Sequence, residues 1–216
     1  MISYHFKDYL TEQSLGHFLK YVFGDKLKSQ VKIDKKMSCD YCITGKNGNL
    51  YIEFDGPYHY TSPKSVINDN RKKSMISNNP LDNIIRIPYF VQIDNVVWKS
   101  LFVPYLRFAG LEEYSDLDIT TDWKHGFISK KIVYPASYCS LGIQRFDEEL
   151  RKFDKVLNNK IIENLNKYKN DLDNRNYDFS LLKRNYDDLK RDYDISVLKN
   201  KGLNDNINDN LIKINV

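Results

Sequence analysis

Residues 39–60, CDYCITGKNGNLYIEFDGPYHY, decide the fold: two β-prone runs flank a turn, and three carboxylates and a histidine lie on the runs and at their exit. Ser38–Thr44 and Asn49–Asp55 are rich in β-branched and aromatic residues, and the intervening Gly-Lys-Asn-Gly predicts a hairpin. Asn47-Gly48 is expected to supply the positive φ angles of a tight turn. Side chains alternate along a strand, so Leu50, Ile52 and Phe54 face one way and Tyr51, Glu53 and Asp55 the other, while Asp40 shares a face with Cys42. The hairpin can therefore bring Asp40 toward Glu53 and Asp55. Carboxylates gathered in this way repel and need a counter-charge, for which a divalent cation with oxygen ligands, Mg²⁺ or Mn²⁺, is suited. The alternative is a solvated sheet face. Gly56-Pro57 must end the strand, leaving His59 where it either returns to the acids or serves structure.

Before the hairpin, residues 11–24 predict an amphipathic helix capped by Thr11 and stopped by Gly24, with Leu15, Phe18, Leu19, Val22 and Phe23 on one stripe. Glu12 lies on that stripe, so its carboxylate is expected to face inward or to favour the helix dipole. His17 points the other way, toward solvent. Residues 28–34 predict a first strand carrying Gln30. Beyond the hairpin, residues 61–80 predict a helix opened by Pro63 and closed by Asn78-Asn79-Pro80. Its Lys64, Arg71, Lys72 and Lys73 form either a contact surface for backbone phosphates or a wet helix face. Residues 83–89, NIIRIPY, predict a buried strand ending at Pro88. Helix, strand, hairpin, helix, strand make an α/β core.

An inward Glu12, then Gln30, Asp40, Glu53-Phe54-Asp55-Gly56 with His59, then Asp69, Arg71 and Ile85-Arg86-Ile87-Pro88-Tyr89, resembles the PD-(D/E)XK restriction-endonuclease-like superfamily. The branch that includes very-short-patch-repair endonucleases and DUF559-type proteins is the nearest in pattern. The segment IEFDGPYHY also resembles the core of RAP domains, which share that fold and are linked to RNA. The resemblance covers about residues 10–95. It implies a mixed sheet flanked by helices, and a divalent metal held by Asp40, Glu53 and the main-chain carbonyl of Phe54. Glu12 would be an auxiliary acid, Asp55 part of the acidic cluster, and His59 an assisting group. Where the superfamily motif usually has Lys, this sequence has Asp55; His59, Lys64 or Lys72 are the residues able to supply the missing donor or positive charge. The implied activity is hydrolysis of phosphodiester bonds in nucleic acid, DNA before RNA, in a protein of phage, viral or mobile-element origin. Two alternatives remain: a non-catalytic RAP-like module binding RNA, and a helical assembly or adaptor protein.

The rest of the chain adds less. Residues 98–108 predict a short helix, and the stretch up to 145 mixes aromatic, basic and small residues without a period; Trp98 and Trp123 either stack on bases or serve packing, and His125 and Cys139 have no assigned role. Cys39 and Cys42 are half of a zinc pattern on opposite faces of one strand and read as core or rim thiols. From Phe146 onward apolar residues recur at three and four, first Phe146, Leu150, Phe153, Leu157, Ile161 and Leu165, then Tyr168, Leu172, Phe179, Leu182, Tyr186, Leu189 and Tyr193. Arg175, Ser196 and Asn200 interrupt the seam. The expected organisation is a nuclease-like domain over 1–145, a helical extension over 146–200 able to pair as a coiled-coil homodimer, and a flexible tail over 201–216. Hydrophobic residues make up 41% of the chain, enough for a core. A net charge of +4 is compatible with a polyanionic partner. Three cysteines are too few for a disulfide scaffold, and no apolar run reaches membrane-spanning length, which together predict a cytoplasmic protein without a membrane partner.

Overall fold

The computed structural model describes residues 9–119, 132, 135, 137–157 and 159–214; Trp123 and His125 lie outside the described residues. Strands β1 (Leu27–Lys32), β2 (Ser38–Thr44), β3 (Asn49–Asp55) and β4 (Asn83–Pro88) form one sheet in the order β1-β2-β3-β4. The first three run antiparallel, and β4 joins β3 in parallel, with Glu53 opposite Arg86 and Asp55 opposite Pro88. A parallel partner requires a crossover. Here it is a single turn α2 (Tyr58–Thr61) followed by α3 (Pro63–Ser77), capped by Ser62 with Pro63 at its start.

The hairpin lies where the β-prone runs place it, but its turn works differently. Neither Asn47 nor Gly48 has a positive φ; among the described residues that conformation belongs to Gln30, Gly24 and Gly110. The loop closes by Gly45 N–H donating to the Gly48 carbonyl at 2.9 Å. A Cβ on Gly48 would stand 1.7 Å from the Leu81 carbonyl oxygen, so the glycine serves close approach of two backbones.

Helix α1 (Glu12–Phe23) begins with a capping box between Thr11 and Ser14, worth about 1 kcal/mol, and ends at Gly24 with φ 54°. Its buried Leu15, Phe18, Leu19 and Phe23 cover the sheet face of Tyr41, Ile43, Leu50 and Ile52. The Tyr41 hydroxyl donates to the Glu12 carbonyl at 2.8 Å, locking helix to sheet. His17, expected in solvent, is half-buried. The opposite face, which carries Glu53, Asp55 and Arg86, is covered by α3 and by the helix over Ser140–Phe153.

After β4, α4 (Asn95–Val97) passes through a π turn over Trp98–Phe102 into α5 (Val103–Phe108). Pro104, lacking an N–H, stands just past that irregular turn. Trp98 is fully buried, stacked on Phe102 at 4.7 Å between centroids and edge-on to Phe18 at 5.8 Å, so it is core and not a base-stacking platform.

Helix α6 (Ser140–Phe153) starts at Cys139, whose Sγ accepts from Gly142 N–H, and buries Phe146, Leu150 and Phe153. The rings of Phe146 and Phe153 meet Tyr60, Phe90 and Tyr138, and Tyr89 in turn meets Tyr60 and Phe90. The first compact unit runs Met1–Tyr168 and includes α6, whose apolar stripe completes this aromatic core. The second unit is Lys169–Val216. Residues 154–157 leave the helical path, and α7 (Asn159–Ile214) follows. That helix continues through 201–214, where a flexible tail was expected. The α/β class, the mixed sheet with flanking helices and the long C-terminal helix thus agree with the sequence reading. Among the described residues no helix is long and apolar enough to cross a membrane.

Candidate functional site

The acids predicted to form one cluster form two neighbouring ones on the sheet face beneath α3. In the first, Asp40 and Glu53 face each other beyond the Tyr41–Ile52 pair of the antiparallel ladder. Asp40 N–H donates to Glu53 Oε1 at 3.2 Å, and Phe54 N–H donates to Asp40 Oδ2 at 2.8 Å. Glu53 is buried, and Lys72 of α3 reaches it, Nζ to Oε1 2.7 Å. Burial, and then the Glu53 charge, push the Asp40 carboxyl up to about 6; the Phe54 N–H opposes this only in part.

Glu12 contributes at a distance. It is exposed, contrary to the inward placement expected from its stripe, because it occupies the first turn of α1. Its carboxylate accepts from Gln30 Nε2 at 3.1 Å, and its charge still raises the Asp40 carboxyl. Gln30 holds φ at 50°, a left-handed conformation costing a non-glycine residue on the order of 1 kcal/mol, next to this site. The Phe54 carbonyl accepts from Gly56 N–H at 3.1 Å and retains a second lone pair.

The second cluster is built around Asp55, fully buried two residues further along β3. Arg86 of β4 grips it with Nε, at 2.8 Å from Oδ2, and with Nη2 on Oδ1. Arg145 of α6 takes Asp55 Oδ2 through Nη2 and Asp69 Oδ2 through Nη1 at 2.6 Å. Arg86 Nη2 also lies 3.0 Å from Asp69 Oδ1. His59, expected on a loop, sits in the single turn α2 and places Nδ1 2.7 Å from Asp69 Oδ2 and 3.6 Å from Asp55 Oδ1. Burial alone lowers the His59 pKa, but the hydrogen bond with Asp69 and the charge of Asp55 outweigh it and raise it overall. Asp69 is held below the usual carboxylate range, because His59, Arg86 and Arg145 outweigh its own desolvation. Arg145 Nε binds Glu149 at 2.8 Å, and the Tyr60 hydroxyl donates to the same carboxylate. The guanidinium lies 4.9 Å from the centre of the Tyr60 ring.

Asp55, His59 and Asp69 are the one described group of three potential metal ligands whose atoms lie within 4.8 Å of one another. The donor chemistry argues against a cation there, since two guanidinium groups already neutralise both carboxylates. At Asp40 and Glu53 the balance is the reverse. Lys72 and, at 3.9 Å, Arg86 Nη2 answer Glu53, and the Asp40 carboxyl is raised by burial first and by the Glu53 charge second, both of which a cation would offset.

Of the basic residues expected along residues 61–80, Lys64, Arg71 and Lys73 are exposed on α3, whereas Lys72 turns inward to Glu53. The lysine absent at position 55 is thereby matched in charge by one from a helix. Arg86, Arg145 and Glu149 were not singled out from sequence. A charge inside the apolar run NIIRIPY was a usable signal for Arg86; nothing marked Arg145, which comes from 90 residues beyond its partner Asp55. Cys39 and Cys42 are buried thiols, with Cys39 Sγ donating to the Ile52 carbonyl at 3.3 Å. Comparison with known proteins returned no match: not a family model, not a curated protein, and not a solved structure.

Proposed function

We propose that the protein is a metal-dependent endonuclease of the PD-(D/E)XK type, hydrolysing phosphodiester bonds in nucleic acid, with DNA as the first candidate. The observation that carries this reading is the pairing of Asp40 with Glu53 under incomplete charge compensation, with Lys72 bonded to Glu53. Asp40, Glu53 and the free lone pair of the Phe54 carbonyl are the oxygen donors that would hold Mg²⁺ or Mn²⁺. Such an ion, when bound, supplies positive charge to the scissile phosphate and acidifies water. Lys72 carries the ammonium that offsets phosphate charge, and the buried backbone of β2 and β3 holds both acids in register. Glu12, tied to Gln30, tunes Asp40 through space. His59 is anchored through Nδ1 to Asp69, which fixes the orientation of its ring beside the site. Exposed Lys64, Arg71 and Lys73 on α3 offer contacts for the phosphate backbone.

The test is incubation of the full chain with duplex, branched and single-stranded DNA, and with RNA, in millimolar Mg²⁺ or Mn²⁺. Glu53→Gln is expected to cut at least 10²-fold more slowly than wild type while unfolding at the same temperature within a few degrees. Absence of cleavage by wild type, together with no divalent binding in a calorimetric titration, would sink this reading. One observation favours a second reading, a RAP-like RNA-binding module: Asp55 is committed to two arginines and is unavailable for chemistry. Under that reading RNA binds, metal does not, and Glu53→Gln leaves affinity unchanged.

A further inference from the structure

Helices α3 and α6 pack on one another over β4, and between them lies a cavity of about 360 Å³. The helical repeat builds its walls. Val66, Asp69, Asn70 and Lys73 recur at three and four along one face of α3, and Leu141, Gln144, Arg145, Glu148 and Lys152 do the same along α6. Ile84 and Arg86, two residues apart on β4, come from the sheet, and Tyr105 of α5 adds an aromatic ring. A space of this size falls in the range of small-molecule sites, roughly 300–1,000 Å³.

The charges that remain uncommitted on these walls decide the class of ligand. Of the carboxylates, Asp69 is bonded to Arg86, Arg145 and His59, and Glu149 to Arg145 and the Tyr60 hydroxyl, which leaves Glu148. Of the cations, Arg145 is taken by Asp55, Asp69 and Glu149, whereas Lys73 and Lys152 are exposed and form no ion pair among the described residues. Arg86 is committed only in part. Its Nε and Nη2 hold Asp55 and Asp69, while its Nη1 is buried with no hydrogen-bond partner among the described residues. A buried donor left without an acceptor costs about 1–3 kcal/mol, and more when it is charged. Two ammonium groups and one guanidinium nitrogen therefore stand against a single carboxylate. Phosphate oxygens only accept, and they take several charged donors at once. A phosphate group does not use the rest of the space, where the Tyr105 ring, the apolar Val66, Ile84 and Leu141, and the amides of Asn70 and Gln144 offer stacking and paired donor and acceptor contacts to a nucleobase. We propose that this cavity binds a nucleotide through its terminal phosphate monoester, supplied either by a free nucleotide or by the 5′-phosphorylated end of a strand. Neither a metal nor cleavage enters this inference, so it stands apart from the nuclease reading.

The test is calorimetric titration of the full chain, with divalent metal removed by chelation, against each of the four deoxynucleoside 5′-monophosphates. At least one is expected to bind with Kd below about 1 mM, and its nucleoside and inorganic phosphate each roughly 10-fold more weakly or worse. Lys73→Met combined with Lys152→Met, both exposed, is expected to weaken binding by about 10-fold or more with the melting temperature unchanged within a few degrees. Gln144→Trp, which fills the cavity from an exposed position on α6, is expected to weaken it as much. A single-stranded oligonucleotide that binds about 10-fold or more tightly with a 5′-phosphate than with a 5′-hydroxyl assigns the site to a strand end. Equal binding of that pair, beside binding of a monophosphate, assigns it to the free nucleotide. The inference is overturned by a nucleoside that binds as tightly as its monophosphate, by unchanged affinity in the double lysine variant, or by equal binding of the two oligonucleotides when no monophosphate binds at about 5 mM.

Discussion

Glu53 and Asp55 leave the same strand toward the same side, two residues apart, yet they live in opposite electrostatic conditions. Asp55 sits between two guanidinium groups and shares them with Asp69, which makes that cluster a structural clamp joining β3, β4, α3 and α6. Glu53 has Lys72 at 2.7 Å and Arg86 Nη2 at 3.9 Å and faces another carboxylate; burial first, and then the Glu53 charge, hold the Asp40 carboxyl up near 6. Compensation is complete where the chain needs cohesion and incomplete where a ligand can supply the remainder.

The sharpest way to break this comparison is Arg145→Met. It leaves Asp55 and Asp69 buried with one guanidinium between them, and unfolding in urea should show a loss of about 3–5 kcal/mol. A loss below about 1 kcal/mol would mean that the second cluster is not a clamp. Lys72→Met strikes the other cluster. Its expected signature is a fall of roughly 10²-fold in cleavage rate, with stability changed by about 1 kcal/mol or less. Equal effects of these two variants on stability would erase the distinction between the clusters.

Smaller effects follow from titration. The His59 pKa is raised in the fold, so its contribution to stability is present in full below the ordinary imidazole value of ~6.5 and is lost as pH rises through the raised value. Melting temperatures should therefore drift down as pH rises above the ordinary imidazole value of ~6.5, and His59→Asn should flatten that drift. Asp40 has the opposite chemistry: its folded pKa lies above the ordinary carboxylate value of ~3.9, so the fold disfavours its ionised form above about 6. Asp40→Asn keeps an acceptor for Phe54 N–H and removes the repulsion. The smallest expected change is thus a gain of about 0.5–1 kcal/mol above that pH, accompanied by loss of cleavage.

The sequence told these two clusters apart only in part, for physical reasons. Strand alternation placed Asp40, Glu53 and Asp55 on one face, and the observed register agrees, because side-chain parity is a local property of β-structure. The crossover helix and its Ser62-Pro63 start were equally local. Which cation answers which acid was not local. Lys72 and Lys73 are adjacent in sequence, and only the packing of α3 on the sheet turns one inward and leaves the other exposed. Arg145 belongs to a helix whose apolar stripe runs on in sequence into the C-terminal seam; the break at 154–157 separates them without a glycine or proline to announce it. The Asn47-Gly48 pair misled in a smaller way, since its glycine answers to Leu81 across space and not to the turn itself.

The distance along the chain from Asp55 to Arg145 also sets a timetable. Ribosomes add ~5–20 residues per second, so the 90 residues separating the two correspond to an interval on the order of 5–20 s. During that interval the sheet can pair and Arg86 can meet Asp55, but the acids lack their second guanidinium. The first unit can reach its native state only after α6 has been made, so its completion waits on a helix near its own end.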